Sequence, residues 1–185
     1  ADMGIGISQN FGDFYTSFMY TNGEGYKKLS EDNNMKVSVQ VLYGEKRLDK
    51  NNGFNVGVVY STNRTRIPGL YSPDPYGYDP YDLDEDVTGI FGGWAGMNAR
   101  VGFEYDMRNI SYSADDMDEQ EQRLISFYGS YKLMPSKNLS IMVKYDVLDS
   151  NRSSDNDETT TMIAGIVWEA ASGFLICPNM VQTKI

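Results

Sequence analysis

Histidine is absent from all 185 residues, and cysteine occurs once, as Cys177. Without histidine, neither a Ser-His nor a Cys-His nucleophile can be assembled from this stretch, and the usual zinc donor sets are unavailable. A single cysteine excludes an internal disulfide. Basic residues are scarce as well: 16 Lys and Arg against 26 Asp and Glu give a net charge of −10, which leaves no basic stripe for nucleic-acid phosphates. Long apolar runs are also missing. No window approaches the ~18–20 apolar residues of a membrane-spanning helix, and no segment has the 3.6-residue period of an amphipathic one. These absences leave β-structure. A soluble β-fold would satisfy them, and so would a membrane barrel, whose strands of ~9–11 residues need only every second side chain to be apolar.

What the sequence has is alternation. In the stretch Arg123–Asp149, Ile125, Phe127 and Tyr131 fall on one face, with Ser126, Tyr128, Ser130 and Lys132 on the other. After a turn at Pro135–Asn138, Leu139, Ile141, Val143, Tyr145 and Val147 oppose Ser140, Met142, Lys144 and Asp146. Period two means strands, and two such runs joined by Pro, Ser and Asn make a hairpin. About ten segments of this kind can be marked, at 3–11, 14–20, 35–43, 54–61, 87–95, 98–108, 123–133, 139–148, 160–169 and 173–184. The last is the weakest, because Pro178 removes a ladder donor.

The links between segments alternate in length. Short ones (12–13, 44–53, 96–98, 135–138, 170–172) take turns with long ones (21–34, 61–86, 109–122, 149–158). An up-and-down outer-membrane barrel has short periplasmic turns and long extracellular loops in this alternation. The long links hold 18 of the 26 acidic residues and 5 of the 16 basic ones, so the acidity belongs to one rim. Tyr20, Tyr43, Tyr60, Trp94, Tyr105, Tyr131, Tyr145 and Trp168 each sit on the apolar face near a segment end, where the lipid-interface aromatic girdles of a membrane barrel belong. A soluble barrel would spread such rings through its core. The opposite face is small or polar, with Gly4, Ser17, Gln40, Gly57, Gly102 and Ser126 among its members, which suits a watery lumen.

The expected fold is therefore all-β: an antiparallel up-and-down transmembrane β-barrel in the bacterial outer membrane, with a soluble β-barrel or sandwich as the alternative. No signal peptide opens the chain, which starts inside an alternating segment. With the short turns in the periplasm, both chain ends lie on the extracellular side. Residues 1–185 are thus expected to be a single barrel segment, incomplete at both ends and part of an even-numbered barrel of about twelve or more strands.

Several short motifs resemble, in order along the chain, the phosphate-selective porin O and P family. Asp2-Met-Gly-Ile-Gly-Ile-Ser8, Phe11-Gly-Asp13 and Thr21-Asn-Gly-Glu-Gly-Tyr26 resemble a strand, turn and loop entry of that family. Lys144-Tyr-Asp146 ahead of Leu148-Asp-Ser-Asn151 looks like one of its late strands, and Ile163-Ala-Gly-Ile-Val167 followed by Phe174–Gln182 is similar to its penultimate hairpin. The resemblance implies a trimeric porin of about 16 strands, of which this chain is a C-terminal-half fragment, with phosphate selected by lumenal Arg and Lys. The inward candidates here are Lys36, Arg100, Arg108, Lys132, Lys144 and Lys184, interleaved with Glu104, Asp106, Asp146 and Glu169. They do not form an unbroken basic ladder, so anion and cation preference both stay open.

Other stretches carry two readings each. The link around Ile67–Asp86, rich in Pro, Gly and Tyr, is either a cap that narrows the pore or a solvated surface loop. The acidic clusters at Asp82–Asp86, Asp115–Glu121 and Asp155–Glu158 either hold divalent cations against lipopolysaccharide or are solvated charge. None has a full EF-hand pattern, so no metal ligand is assigned. Arg100 and Lys144 against Glu104 and Asp146 make either the transverse field of a constriction or cross-strand pairs that satisfy one another. The expected function is passive diffusion of small charged solutes or ions, phosphate or other anions among them, with no enzymatic role and no cofactor. The expected partners are outer-membrane lipid, lipopolysaccharide and further copies in a homotrimer, and nucleic acid is excluded. The alternative is a non-conducting outer-membrane barrel acting as a scaffold or as a surface-binding, adhesive component.

Overall fold

The computed structural model describes residues 4–22, 35–67, 81–113, 119–134, 138–151 and 157–184. They form eleven strands and, among them, no helix. In chain order these are β1 (Gly4–Phe11), β2 (Phe14–Thr21), β3 (Lys36–Gly44), β4 (Gly53–Ile67), β5 (Tyr81–Gly96), β6 (Ala99–Tyr112), β7 (Gln120–Met134), β8 (Leu139–Asp149), β9 (Glu158–Ala171), β10 (Phe174–Ile176) and β11 (Asn179–Lys184). Every pair is antiparallel and β1 to β10 each lie beside their neighbour in sequence, in one up-and-down sheet. β10 and β11 both pair with β9, in succession along it.

The marked segments all become strands, with corrections at their ends. The final segment, 173–184, is two strands separated by Cys177 and Pro178, with a register shift at Phe174/Leu175 where the ladder gives way. Residues 61–67 and 81–86, read as parts of a long link, are strand: β4 and β5 pair continuously from Gly53↔Ala95 to Ile67↔Tyr81. β6 and β7 likewise run past their expected ends to Tyr112 and back from Gln120. The apolar alternation stops before the strands do. Beyond it, backbone bonds and charge pairs carry the ladder. The cap or constriction expected of the Ile67–Asp86 link falls mostly on 68–80, outside the described residues, as do 23–34, 114–118, 135–137, 152–156 and Met3.

The register assigns the faces. Ile7↔Phe18, Phe18↔Val39, Val39↔Tyr60, Val41↔Val58 and Val58↔Ile90 carry one apolar face across five strands. Phe103↔Phe127, Phe127↔Tyr145 and Tyr145↔Met162 continue it. This face is open: Phe54 is 55% exposed, Val58 50% and Val143 54%. A sheet that leaves such residues uncovered cannot be held by burial in water. In lipid the same face is at no disadvantage, while the ladder satisfies backbone groups that would otherwise cost several kcal/mol each.

Cross-strand partners fit by size. The Phe91 ring lies over Gly57, Phe103 over Gly92 and Tyr128 over Gly102, each glycine being the ring's directly paired residue. A β-carbon at Gly57 or Gly102 would sit 2.5 Å from the ring. The β5–β6 connection is a two-residue turn in which Met97 and Asn98 both have positive φ, 47° and 67°. That is the turn whose twist matches the flanking strands.

Candidate functional site: the inner face of the wall

The face opposite the lipid carries the charged residues expected to line a lumen, with Lys184 the exception. β6 supplies four of its ionisable groups, Arg100, Glu104, Asp106 and Arg108, alternating with Val101, Phe103, Tyr105 and Met107 on the lipid side. Glu104 pairs with Ser126 on β7, and Ser126 with Asp146 on β8. Ser126 is 1% exposed, and its hydroxyl donates to Asp146 Oδ1 at 2.6 Å. The other carboxylate oxygen of Asp146 meets Lys144 Nζ at 2.8 Å. Asp146 is thus held at both oxygens. Asp106 lies two residues beyond Glu104 with its carboxylate over Gly89, a position that any β-carbon would block.

The remaining candidates are spread along the wall. Arg108 donates to Glu85 Oε2 at 2.6 Å and to Gln122 Oε1 at 3.2 Å. Lys36 stands opposite Thr21 on the long-link side. Lys132 stands opposite Ser140 near the short-turn end, beside a register shift. Glu169 accepts from Asn138 Nδ2 at 3.0 Å. Lys184 pairs with Thr160, which shares the lipid-side face with Val147, so its inward assignment is corrected. The transverse arrangement is corrected too: Lys144 and Asp146 pair within one strand, and Arg100 is bound elsewhere.

Arg100 reaches the β3–β4 turn. Its Nε donates to the carbonyl of Leu48 at 2.7 Å and its Nη2 to that of Asp49 at 2.9 Å. The turn lies on the inner face, with Leu48 over Gly93 and Asn55 Nδ2 donating to the Glu45 carbonyl at 2.9 Å. Lys46 extends the other way, 3.6 Å from the ring centroid of Tyr15 on β2. Within the turn, the Arg47 guanidinium forks onto Asp49 at 2.8 and 2.7 Å and holds its carboxyl down at about 2. The Arg47 carbonyl takes the amides of Lys50 and Asn51. Sequence reading missed this turn because it has no period to read, and Arg100 lies 52 residues from Leu48. Glu85 and Gln122 were missed because they fall in stretches read as links. Ser126 had a signal, a small hydroxyl one register step from Asp146 on the wet face.

On the lipid side, Tyr43, Trp94, Tyr131 and Trp168 lie toward the short turns and Tyr20 and Tyr145 toward the long links, while Tyr60 and Tyr105 fall at mid-strand. Their expected place near a segment end is corrected, because β4 and β6 run on past them. Tyr105 is half-buried and the other seven are exposed. Beyond Tyr20, Tyr60, Tyr105 and Tyr145 this face becomes charged. Tyr60 donates to Asp86 at 3.0 Å, Arg64 forks onto Asp84 at 2.5 and 2.7 Å, and Arg123 lies 3.1 Å from Asp149 and 3.7 Å from Glu158. Among the described residues no group of three or more acidic or cysteine side chains is arranged to hold a metal ion.

No family model matches the sequence, and no curated protein matches it significantly. Solved structures do. The in-vitro folded, trimer form of the outer membrane protein OmpT of Vibrio cholerae superposes with a TM-score of 0.71 at 14% identity, over 97% of this chain and 53% of that one. A loop L8 deletion mutant of OmpT gives 0.73 at 13% identity, over 97% and 56%. OmpT expressed in the outer membrane gives 0.70 at 13%, over 96% and 53%. The chain spans about half the length of these OmpT chains. The matches correct the expectation of a non-enzymatic chain. That expectation rested on residue types missing from 185 residues, and a stretch equivalent to half of an OmpT chain does not exclude catalysis by the whole. At these identities the likeness establishes the fold, and with the open apolar face it gives a conclusion: the chain is a stretch of up-and-down transmembrane β-barrel wall of the bacterial outer membrane.

Proposed function

We propose that this wall belongs to a porin, through which small charged solutes diffuse passively along the inner face. The supporting observation is the contrast between the two faces. One is apolar and open to lipid, while the other carries Arg100, Glu104, Asp106, Arg108, Lys144 and Asp146 in a continuous polar lane across β6 to β8. Water-filled barrels keep such charges on the lumen side. On this reading the short turns are periplasmic and the charged outer rim beyond Tyr60 and Tyr145 lies among lipopolysaccharide headgroups. A homotrimer and kinship with the phosphate-selective porins belong to the same proposal. Phosphate or another small anion would then be drawn by Lys36 and Lys132, which have no ion pair among the described residues.

One observation favours a cation preference instead. Arg100, Arg108 and Lys144 are each engaged by carbonyl or carboxylate oxygens, whereas Glu104 and Asp106 share the inner face of β6 with no cationic partner among the described residues. Planar-bilayer recording of the complete protein in a salt gradient separates the two. A reversal potential of anion sign, with phosphate reducing the chloride current, supports the phosphate reading; cation sign supports the second. An electrically silent protein overturns both and leaves the non-conducting barrel.

A further inference from the structure

We propose that the β3–β4 turn is a built constriction of the lumen at its short-turn mouth, and that Arg100 is the residue that positions it. The inference rests on the porin reading for its consequence, and on geometry alone for the placement. A connection of this length has the outer solvent available to it, yet this one turns inward. Its arms reach well beyond the two strands it joins. Lys46 sits over Tyr15 on β2, and Leu48 and Asp49 are taken by Arg100 on β6, so the turn spans the inner face from one strand before β3 to two strands after β4.

The wall beneath it is shaped to receive it. Gly93 has no side chain where Leu48 lies: a β-carbon there would be 3.1 Å from Leu48 Cδ1 and 2.9 Å from the Val101 carbonyl. Ala95 and Leu42, 2% and 5% exposed, are two of the three buried apolar residues among the described ones. Leu42 shares the inner face with Asn55 and Gly57, and Ala95 is the cross-strand partner of Arg100. Between the turn and the strands beyond it lies a cleft of about 590 Å³, lined by Leu48, Asp49, Arg100, Tyr128, Met142 and Lys144. Leu42 lines the same cleft as Leu48 and Asp49 of the turn. A solute at this mouth passes the turn's edge and the Tyr128–Lys144 pair.

Arg100 suits the positioning role because its planar guanidinium holds two N–H donors in a fixed fork toward two successive carbonyls, a geometry that the rotating donors of an ammonium do not fix. Two of its donors are taken up by the turn's carbonyls, while its positive charge stays. It is therefore a positioning residue for the passage, a role beyond the constriction charge or cross-strand pair that the sequence offered.

The test uses the complete protein folded in detergent and reconstituted in planar bilayers, with Arg100→Ala, Arg100→Lys and Leu48→Ala variants. Hydrogen exchange at 45–52 reads the placement, and single-channel conductance reads the consequence. Slow exchange of the Lys50 and Asn51 amides in the unaltered protein, lost in Arg100→Ala and Arg100→Lys, is expected. So is a conductance rise of about twofold in Arg100→Ala and a smaller rise in Leu48→Ala. Fast exchange in the unaltered protein, or exchange and conductance both unchanged in Arg100→Ala, overturns the inference. If Arg100→Ala does not fold, Leu48→Ala decides: it leaves the wall's own ladder intact, and unchanged conductance and exchange there overturn it equally. A protein that conducts nothing but shows Arg100-dependent protection sinks the porin reading and the constriction while leaving the positioning intact. A conducting protein without that protection leaves the porin reading intact and sinks both the positioning and the constriction.

Discussion

Two arginines do opposite jobs at opposite ends of this wall. Arg64, on the outer face beyond Tyr60, forks onto Asp84, its cross-strand partner on the adjacent strand. Arg100, on the inner face near the short turns, forks onto two backbone carbonyls of a turn that begins three strands away. Both pairs are geometrically good, yet they differ in what else holds their partners. β4 and β5 are already joined by fifteen register pairs from Gly53 to Ile67, so the Arg64 pair ties what is tied. The inturned β3–β4 turn has no ladder to β6. An ion pair or hydrogen bond matters in proportion to how little else fixes the same geometry, which is why exposed pairs on regular structure contribute so little.

The largest way to break the contrast is to move a charge along one strand. Val58 lies on the same face as Arg64, between Val41 and Ile90 in the apolar band. Val58→Arg is expected to destabilise the barrel by about 2–4 kcal/mol, read by denaturant unfolding from phospholipid vesicles. A loss no larger than that of a rim substitution would remove the lipid-facing assignment. Next comes the floor of the turn. Gly93→Ala should cost about 1–3 kcal/mol by overpacking and should speed exchange at 45–52 without altering exchange in β9. Unchanged exchange would mean that Leu48 does not rest there.

A smaller effect follows from acid. The Asp49 carboxyl, ordinarily near 3.8, is held at about 2 by Arg47. Its contribution to the turn is present above pH ~4 and is lost as pH falls through about 2. A carboxyl ¹³C titration should give a midpoint near the lower value, and Arg47→Ala should return it to the ordinary range. The smallest effect belongs to Arg64→Ala, expected to leave stability unchanged within error in the same unfolding experiment. A clear loss there would show that the strand extension beyond Tyr60 depends on its charges.

The same contrast explains what sequence could and could not deliver. Strand number, direction and facing were legible because lipid forces every second residue of a strand such as Leu139–Asp149 to be apolar, and that constraint writes a period. Above Tyr60 and Tyr105 the constraint ends but the ladder does not. Residues such as Thr62, Arg64, Asp84 and Glu85 therefore continue a strand with nothing periodic to announce it. Individual charges of the inner face were legible as positions and not as partners. Ser126 beside Asp146 follows from register, whereas Arg100 on Leu48 depends on a turn folding back over the wall.

The pairing rows climb as the sheet goes round. Phe14, next to the β1–β2 turn, is linked through Tyr43, Val56, Gly92, Phe103 and Phe127 to Tyr145, six residues beyond Leu139 at the start of β8. That is about one residue of climb per strand, the stagger of a wall whose strands tilt by roughly 35–45°. A row is therefore the thread of a screw and never a ring. Glu104, Ser126 and Asp146, neighbours along one thread, stand at successive heights above the short-turn mouth. Anything travelling along the axis meets them one after another, as the steps of a spiral stair, and never all at one level.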